Sequence, residues 1–328
     1  MLSPIRSRIS VRIPTINSYP TLVRALDSVL AQDVAPMDIL IVDNCSMDGS
    51  WPQTKELSKR DPRVKVEQNA NRGLAENWNR CVETAVADYL LLLHTDDELL
   101  PGMIRETIEF LDRHPSVGFV HTDGYDRFPD GKETVRRTQG VPILKAGVEA
   151  LTKVLVEPNL LCSSIVVRRI CHERLGLYLD GCLSPEWEMW ARIGRDYDIG
   201  HIAKPLVRCY AHTDDYSGSS PWSRPLSVAR VSQVESQWID EGEKIVSYFP
   251  EDHRQTVRTT MQMTVAGGLW SGGSLAWQNG KWRRGQEFFM RAYSFLPRRM
   301  WWQRYIKELG YAILRRVKCL MRGTDIQY

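Results

Sequence analysis

The chain of 328 residues lacks the glycine-rich signatures of several large enzyme classes. No G-x-G-x-x-G follows the first predicted strand, which argues against a dinucleotide-binding dehydrogenase. No G-x-x-x-x-G-K-[ST] is present, which excludes a P-loop nucleotide site. The absence of G-x-S-x-G removes the main sequence signature of a serine hydrolase. Other motifs must therefore carry the function.

Long apolar runs and paired cysteines are missing as well. No stretch of 18 apolar residues occurs, so we expect no membrane-spanning helix. The first residues, MLSPIRSRIS, contain no apolar segment of the kind found in signal peptides. The 7 cysteines are scattered and form no C-x-x-C, which favours a reducing compartment over a disulfide framework or a zinc ribbon. We therefore expect a cytoplasmic protein.

The net charge of +3 is distributed unevenly along the chain. Residues 281–328 contain 12 Lys and Arg against 3 Asp and Glu, so this tail carries +9 and residues 1–280 carry −6. A nucleic-acid binder has a basic main domain, and we therefore expect no nucleic-acid partner. A basic tail on an acidic body instead suggests that the tail meets an anionic surface.

Short apolar runs alternate with helical segments through the first part of the chain. The predicted strands include Ile9–Ile13, Ile39–Val42, Val64–Glu67, Tyr89–Leu93 and Val117–His121. The predicted helices include Leu22–Gln32 with Thr21 as its cap, Trp51–Lys59, Leu74–Ala87, Pro101–Arg113 and one that opens at Ser184 and Pro185. This alternation predicts an α/β fold with a mainly parallel sheet and helices on both faces.

The pattern changes near Pro225, after which only helices are predicted. We therefore place the domain boundary there, with a catalytic domain at 1–225 and a helical C-terminal region at 226–328. The last predicted helix, Arg299–Met321, is basic and amphipathic and begins with two tryptophans. Such a helix fits an anionic membrane surface, which would make the protein peripheral at the inner face of the plasma membrane. The alternative is that the helix packs on the catalytic domain.

Two adjacent acids follow the buried strand in Asp88–Pro101, DYLLLLHTDDELLP. Asp96 and Asp97 lie where the strand leaves the sheet, and ligands of open α/β folds bind at the carboxyl ends of strands. Neighbouring carboxylates repel unless a cation or hydrogen bonds offset the repulsion. Carboxylate oxygens suit Mg²⁺ or Mn²⁺. The alternative is a solvated acidic loop that precedes a helix.

Six motifs in order resemble the family 2 glycosyltransferases, which have the Rossmann-like GT-A fold. The resemblance covers roughly the first 225 residues. The motifs are Ser10–Asn17 (SVRIPTIN), Ala25–Gln32 (ALDSVLAQ), Ile39–Ser50 (ILIVDNCSMDGS), Asn71–Asn79 (NRGLAENWN), Asp88–Pro101 and Pro185–Arg192 (PEWEMWAR). Each motif is weak alone, and the assignment depends on their order.

The resemblance implies an inverting, metal-dependent transferase of the hexosyl or N-acetylhexosaminyl type. It would move a sugar from a nucleotide diphosphate sugar, with UDP as the favoured nucleotide, to a glycan or lipid-linked acceptor in surface polysaccharide synthesis. A divalent ion, Mn²⁺ or Mg²⁺, stabilises the departing diphosphate, and a base on the opposite face of the sugar gives inversion. His94 occupies the first position of the D-x-D metal motif. The alternative is therefore a catalytically inactive nucleotide-sugar-binding protein or a membrane-docking scaffold.

The resemblance also implies roles for individual residues. The residues implied in nucleotide-sugar binding are Thr15, Asn17, Asp43, Asn44, Arg72 and Asp96, and those implied in metal binding are Asp96, Asp97 and His212. Arg72 also fits a solvated loop residue and His212 a structural histidine.

The implied catalytic base is Glu186, in the helix that opens at Pro185. Glu188 points about 200° away around that helix, so both carboxylates cannot face one acceptor. We expect Glu188 to pair with a nearby arginine. Trp187 and Trp190 are expected in the core, with stacking on the acceptor ring as the alternative.

Overall fold

The computed structural model describes residues 7–34, 36–70, 73–138, 141–156, 160–182, 184–210, 239–278 and 282–295. The chain divides into two compact units, Met1–Thr213 and Asp214–Tyr328. The predicted boundary near Pro225 and the predicted helix Arg299–Met321 lie outside the described residues, and both stay predictions.

The first unit is built from one 10-stranded sheet and its surrounding helices. The strands are β1 (Ile9–Thr15), β2 (Met37–Asp43), β3 (Val64–Gln68), β4 (Tyr89–Leu92), β5 (Asp97–Leu99), β6 (Val117–Arg127), β7 (Glu133–Arg136), β8 (Ile143–Leu144), β9 (Val166–Arg168) and β10 (Asp198–Tyr210). The helices are α1 (Tyr19–Leu30), α2 (Trp51–Glu56), α3 (Leu74–Glu83), α4 (Met103–Arg113), α5 (Val148–Val156), α6 (Arg169–Leu175) and α7 (Pro185–Asp196). Short 3-10 turns occupy Leu57–Lys59 and Cys162–Ser164.

The strands lie in the order β3-β2-β1-β4-β9-β6-β10-β5, with β7 paired to β6 and β8 to β10. Strands β1 to β4 form a parallel half, and β6 runs parallel to β10. Strand β9 is antiparallel to both β4 and β6, and β5 is antiparallel to β10. The predicted α/β fold is confirmed, and the sheet is mixed where β9 joins its two parallel parts.

Both faces of the sheet are covered, which explains the apolar runs in its central strands. Val11, Ile39 and Leu91 pack in one cluster with residues of α1 and α4. On the other face, Leu90 and Leu92 line a small cavity together with Tyr178 and Trp190. A strand covered on both faces buries every side chain, so its sequence shows no polar alternation.

Strand β1 extends further than predicted, because Pro14 does not end it. Arg12 O accepts a hydrogen bond from Leu93 N at 2.9 Å, so alternate residues of β1 face β4. The backbone of Pro14 also faces the β4 side. The pairing of β1 with β4 ends before Pro14, at Arg12 and Leu92. A proline is tolerated in a strand where no ladder donor is needed.

Two predicted helix starts are wrong by a few residues. Helix α1 begins at Tyr19 after Ser18, with Pro20 in its first turn, and the predicted cap Thr21 lies inside the helix. Helix α4 begins at Met103 after Gly102, whose φ of 84° is left-handed. Proline and glycine at these positions fix the starts through their backbone preferences.

The short strand β5 was predicted as a loop. It contains Asp97 and Glu98, and acidic residues are rare in strands. Strand β10 stabilises it from a distant part of the chain: Arg208 Nη1 and Tyr210 OH donate to Glu98 Oε2 at 3.0 and 2.8 Å. Pairing that depends on a distant strand leaves no local pattern in the sequence.

The described part of the second unit is helical, as predicted. Helix α8 covers residues 239–247, α9 is Glu251–Gln278 and α10 is Trp282–Tyr293. Phe289 of α10 packs against Trp270 and Trp277 of α9, with ring centroids 4.6 and 4.8 Å apart. Among the described residues, no helix combines the length and the apolar character that a membrane span requires.

Candidate functional site

The loops that follow β1 and β2 are joined by hydrogen bonds at the carboxyl ends of these strands. Asn44 N donates to Thr15 O at 2.8 Å, Asn17 N donates to Ser46 Oγ at 2.8 Å, and Met47 N donates to Asn17 Oδ1 at 2.8 Å. Asn17 has a φ of 49°, which asparagine tolerates better than most residues. The structure thus brings together Thr15, Asn17 and Asn44, which the sequence linked to nucleotide binding.

Asp43, at the end of β2, is fully buried and holds the following loop. Its carboxylate accepts hydrogen bonds from Ser46 N at 3.0 Å, from Ser46 Oγ and from Gln68 Nε2 at 2.9 Å. Buried carboxylates need such donors. Asp43 therefore shapes the loop in this structure, and its contact with a nucleotide stays a prediction.

The start of α3 is joined by hydrogen bonds to the end of β2. Gly73 precedes the helix with φ 106° and ψ 179°, a conformation that is essentially confined to glycine. Asn44 Nδ2 donates to Gly73 O at 3.4 Å, and Asn77 Nδ2 donates to Val42 O at 3.3 Å. Asn44 and Asn77 thereby fix α3 to the end of β2. The predicted residue Arg72 lies outside the described residues.

Beyond β4, the structure brings His94, Asp96 and Asp97 together. One ligand atom of each residue lies within 4.8 Å of the other two. Asp97 is buried, and its carboxylate accepts a hydrogen bond from Ser163 Oγ at 2.5 Å. Burial raises the pKa of Asp97 to about 6, and the negative charge of Asp96 acts in the same direction. A cation would relieve this repulsion, so the donor set of two carboxylates and an imidazole fits a divalent metal ion.

The backbone of this acidic segment is held from two sides. Arg24 Nη2 donates to Asp96 O at 3.1 Å, and the Arg24 guanidinium lies 3.6 Å from the centroid of the Tyr210 ring. His94 N donates to Ser163 Oγ at 3.1 Å. Asp96 and Asp97 therefore occupy the position predicted for a metal site. The third predicted ligand, His212, lies outside the described residues.

Aromatic side chains pack against one of the candidate metal ligands, His94. The sequence did not reveal this contact. The ring of His94 stacks on Trp78, with centroids 5.4 Å apart and an angle of 29° between the planes. The other neighbour of Trp78 is Tyr178, in an edge-on contact at 5.3 Å. The only local signal was a tryptophan inside the Asn71–Asn79 motif, and tryptophan in a helix usually indicates core packing.

Helix α7 separates the two glutamates that the sequence left as alternatives. Glu188 is fully buried and pairs with Arg192, whose Nη2 lies 2.8 Å from Glu188 Oε2. Arg192 also donates to Leu175 O and Leu177 O at 2.6 and 2.7 Å. The prediction that Glu188 pairs with an arginine is confirmed, and its carboxylate supports the segment that precedes the helix.

Glu186, the second residue of α7, is half-buried. Burial raises the pKa of the Cys162 thiol well above its usual value, and the negative charges of Glu186 and Asp97 add to that rise. The Cys162 thiol therefore lies within electrostatic range of both the candidate base and a candidate metal ligand. Ser163, in the 3-10 turn Cys162–Ser164, donates a hydrogen bond to Asp97.

Asn79 joins helix α3 to the segment before α7, a link that the sequence did not predict. Asn79 Nδ2 donates to Tyr178 O at 2.9 Å, and Tyr178 N donates to Asn79 Oδ1 at 2.8 Å. Trp187 and Trp190 are buried as expected, and Trp187 Nε1 donates to Val154 O at 2.8 Å. The two tryptophans therefore belong to the core.

Comparison with known proteins finds a family model and curated relatives that are similar to this chain. Residues 10–169 match the model of the family described as Glycosyl transferase family 2. A Campylobacter jejuni protein named GalNAc(5)-diNAcBac-PP-undecaprenol beta-1,3-glucosyltransferase is 30% identical over 119 residues, which are 36% of this chain and 37% of that protein. The chain spans between 13% and 42% of the length of the curated relatives that it matches.

Two solved structures share the fold. Residues 1–349 of S. aureus TarS in complex with UDP-GlcNAc match with a TM-score of 0.62 at 16% identity, over 98% of this chain and 93% of that one. The mannosyltransferase PcManGT from Pyrobaculum calidifontis, in complex with GDP-Man and Mn²⁺, matches with a TM-score of 0.56 at 18% identity, over 96% and 87%. At these identities the match shows the GT-A fold and nothing further.

Proposed function

The chain belongs to glycosyl transferase family 2 through its residues 10–169, and we propose that it transfers a sugar from a nucleotide diphosphate sugar to a glycan or lipid-linked acceptor in surface polysaccharide synthesis. The single observation that carries this proposal is the cluster of His94, Asp96 and Asp97 beyond β4, whose ligand atoms lie within 4.8 Å of one another. Such a donor set can hold the divalent ion that sugar transfer from a nucleotide diphosphate sugar uses to stabilise the departing diphosphate.

The donor half of the site consists of the three joined loops and the acidic cluster. Thr15, Asn17, Asp43 and Asn44 lie at the joined ends of β1 and β2, where we place the nucleotide. Asp96 and Asp97 would hold Mn²⁺ or Mg²⁺, which stabilises the negative charge of the departing diphosphate. Arg72 and His212 remain proposed contacts to the donor and the metal. We favour UDP, and the TarS complex with UDP-GlcNAc supports that choice.

The acceptor half is assigned to Glu186. Its carboxylate would take the proton of the acceptor hydroxyl while that oxygen attacks the anomeric carbon from the side opposite the diphosphate, which inverts the configuration. We assign the base to Glu186 rather than Glu188 because the Glu188 carboxylate accepts a hydrogen bond from Arg192. The Campylobacter jejuni relative, which is named for an undecaprenol-linked substrate, supports a lipid-linked acceptor.

The test is nucleotide release from a panel of nucleotide sugars in the presence of Mn²⁺ or Mg²⁺. We expect one donor to be turned over, and we expect Asp96→Asn and Glu186→Gln to abolish that turnover. The Glu186→Gln protein should still bind the nucleotide, because the base does not hold the donor. The exposed Glu83 supplies a matched control, and Glu83→Gln should keep full activity. Full turnover by Glu186→Gln would refute its role.

A nucleotide-sugar-binding protein without catalysis is the second candidate, because His94 replaces an acid of the metal motif. Tight UDP binding without turnover of any donor would favour it. We further propose that Arg299–Met321 binds an anionic membrane surface at the cytoplasmic face. Co-sedimentation with vesicles that contain an anionic phospholipid, and none with neutral vesicles, is the expected result. Equal binding to both would argue instead that this helix packs on the protein.

A further inference from the structure

We propose that His94 supplies a ring nitrogen to the metal site, which makes the site selective for Mn²⁺ and Co²⁺ over Mg²⁺. This inference rests on the proposed function, since it concerns the metal ion that would accompany the sugar donor. It assigns a ligand role to the residue whose presence in the motif otherwise argues against metal binding.

The distances are compatible with one ion bound by all three residues. A ring nitrogen of His94 and one carboxylate oxygen each of Asp96 and Asp97 lie within 4.8 Å of one another. Two oxygen ligands on opposite sides of one ion, with bonds of about 2.1 to 2.4 Å, lie roughly 4 to 5 Å apart. The cluster therefore needs little rearrangement to close around an ion.

His94 is held in place before any ion arrives. Its backbone N–H donates to Ser163 Oγ at 3.1 Å, and its ring stacks on Trp78. Ser163 also donates to Asp97, so one hydroxyl ties the backbone of His94 to the carboxylate of Asp97. Ligands fixed in this way lose little conformational entropy when they bind a metal ion.

His94 and His172 both have buried ring nitrogens without a hydrogen-bond partner among the described residues, and of the two His94 is the one that lies in a cluster with two carboxylates. Its Nε2 is buried, and no described residue forms a hydrogen bond with it. Buried imidazole nitrogens usually have a partner. His201 shows the ordinary arrangement, because its Nε2 lies 2.9 Å from Asp123 Oδ1 and 3.2 Å from Thr138 Oγ1. An imidazole without such partners is available to a ligand or an ion.

The chemical nature of this donor set determines which ions it prefers. Mg²⁺ favours oxygen ligands, whereas imidazole nitrogen favours later first-row metals. Replacing a carboxylate with an imidazole also removes one negative charge, which weakens the binding of a hard cation. An imidazole beside two carboxylates should therefore lower the affinity for Mg²⁺ more than the affinity for Mn²⁺ or Co²⁺.

The experiment measures Mn²⁺ bound to the whole protein, in the presence of UDP, by pulsed electron paramagnetic resonance. Wild type should show coupling between Mn²⁺ and a ¹⁴N nucleus, and protein labelled with ¹⁵N-histidine should show ¹⁵N coupling instead. His94→Asp should bind Mn²⁺ without the coupling that comes from His94, whereas His212→Gln should keep that coupling, and His94→Asp should reduce the preference for Mn²⁺ over Mg²⁺ by about tenfold or more. The exposed His253 provides the control, and His253→Asp should keep both the coupling and the preference.

The wild-type measurement requires no variant to fold, and because His212 is also a proposed ligand, the comparison of His94→Asp with His212→Gln shows which histidine gives the coupling. Mn²⁺ bound without histidine coupling would overturn the role of His94. The proposed function would still stand in that case if Asp96→Asn abolished both Mn²⁺ binding and nucleotide release. If wild type bound no Mn²⁺ and released no nucleotide from any donor, the proposed function would fail together with this inference.

Discussion

Glu188 and Arg192 form a buried ion pair one turn apart on α7, with 2.8 Å between Oε2 and Nη2. The Glu188 side chain is 0% exposed, while that of Arg192 is 11% exposed. Because Arg192 also binds the carbonyls of Leu175 and Leu177, the pair fixes the segment that leads into α7. Glu186 lies on a different side of the same helix and is not part of that ion pair, which gives two isosteric substitutions with different expected effects.

Glu188→Gln should lower the free energy of unfolding by on the order of 3 kcal/mol, because it leaves the buried Arg192 without a counter-charge. Glu186→Gln should change it by less than about 1 kcal/mol, because this substitution of a half-buried side chain leaves the Glu188–Arg192 pair intact. Urea unfolding followed by tryptophan fluorescence measures both values. A larger loss of stability in Glu186→Gln than in Glu188→Gln would reverse the two assignments.

Local sequence patterns predict many of the strands and helices. They do not predict features that depend on contacts between residues distant in the sequence. The buried strands Ile39–Val42 and Tyr89–Leu93 were predicted within about two residues because their apolar character is local. Strand β5 was missed, because only its partner β10 stabilises an acidic strand. The placement of β9 between β4 and β6 was also missed, because its three residues carry no information about their neighbours.

The same distinction applies to the candidate site. The acids at Asp96 and Asp97 and the glutamate at Glu186 follow from motifs that each lie within a few residues. The stacking of Trp78 on His94 and the bonds between Asn79 and Tyr178 join segments 16 and 99 residues apart. Sequence order places these residues in separate elements, and only the packing of α3 against the acidic loop brings them together.

His172 should make the protein sensitive to acid. Burial lowers the pKa of His172 to about 4, below its ordinary value of 6.5. The unfolded chain therefore binds the proton more readily, so this stability contribution is complete above about pH 6.5 and is lost as the pH falls towards 4, by on the order of 3 kcal/mol. His172→Leu should flatten the fall in unfolding free energy across this range. The exposed His253 offers the control, since His253→Gln should leave the wild-type slope; an equally steep slope in His172→Leu would refute the prediction.

Gly73→Ala should destabilise the protein through its backbone alone. Nothing lies within 4 Å of the position that a Cβ would occupy, but the φ of 106° is strained for any residue with a side chain. We expect a cost of about 1 to 3 kcal/mol. Because Gly73 O accepts a hydrogen bond from Asn44, the affinity for UDP should also fall. Calorimetry with UDP and urea unfolding measure the two effects, and a variant unchanged in both would contradict the assigned strain.

Trp78 should determine how well His94 is presented to the metal ion. Trp78→Leu removes the aromatic surface on which the imidazole stacks, so the affinity for Mn²⁺ should fall by about tenfold, in the range found when groups that orient ligands are removed. Trp78→Phe keeps a ring and should lose less. Titration of Mn²⁺ by electron paramagnetic resonance, on variants whose circular dichroism matches wild type, measures the difference. Equal affinities for Leu and Phe would show that the stacking does not position His94.

Asn79 should affect turnover more than donor binding, because it positions the segment beside the base rather than the nucleotide loops. Asn79→Ala removes both hydrogen bonds to the backbone of Tyr178, and two lost buried bonds should cost about 2 to 4 kcal/mol of stability. The negative charge of Glu186 acts on Tyr178, so the two groups lie close enough for a displaced segment to move the base.

We therefore expect Asn79→Ala to lower kcat by about tenfold or more while the KM for the donor changes little, since a small misplacement of a reacting group is costly. Arg80, the next residue of α3, forms an exposed ion pair with Glu67 and provides the control. Arg80→Ala should keep both constants, because exposed ion pairs contribute little. A rise in KM with an unchanged kcat would instead assign Asn79 to the nucleotide side of the site, through the loop that begins α3.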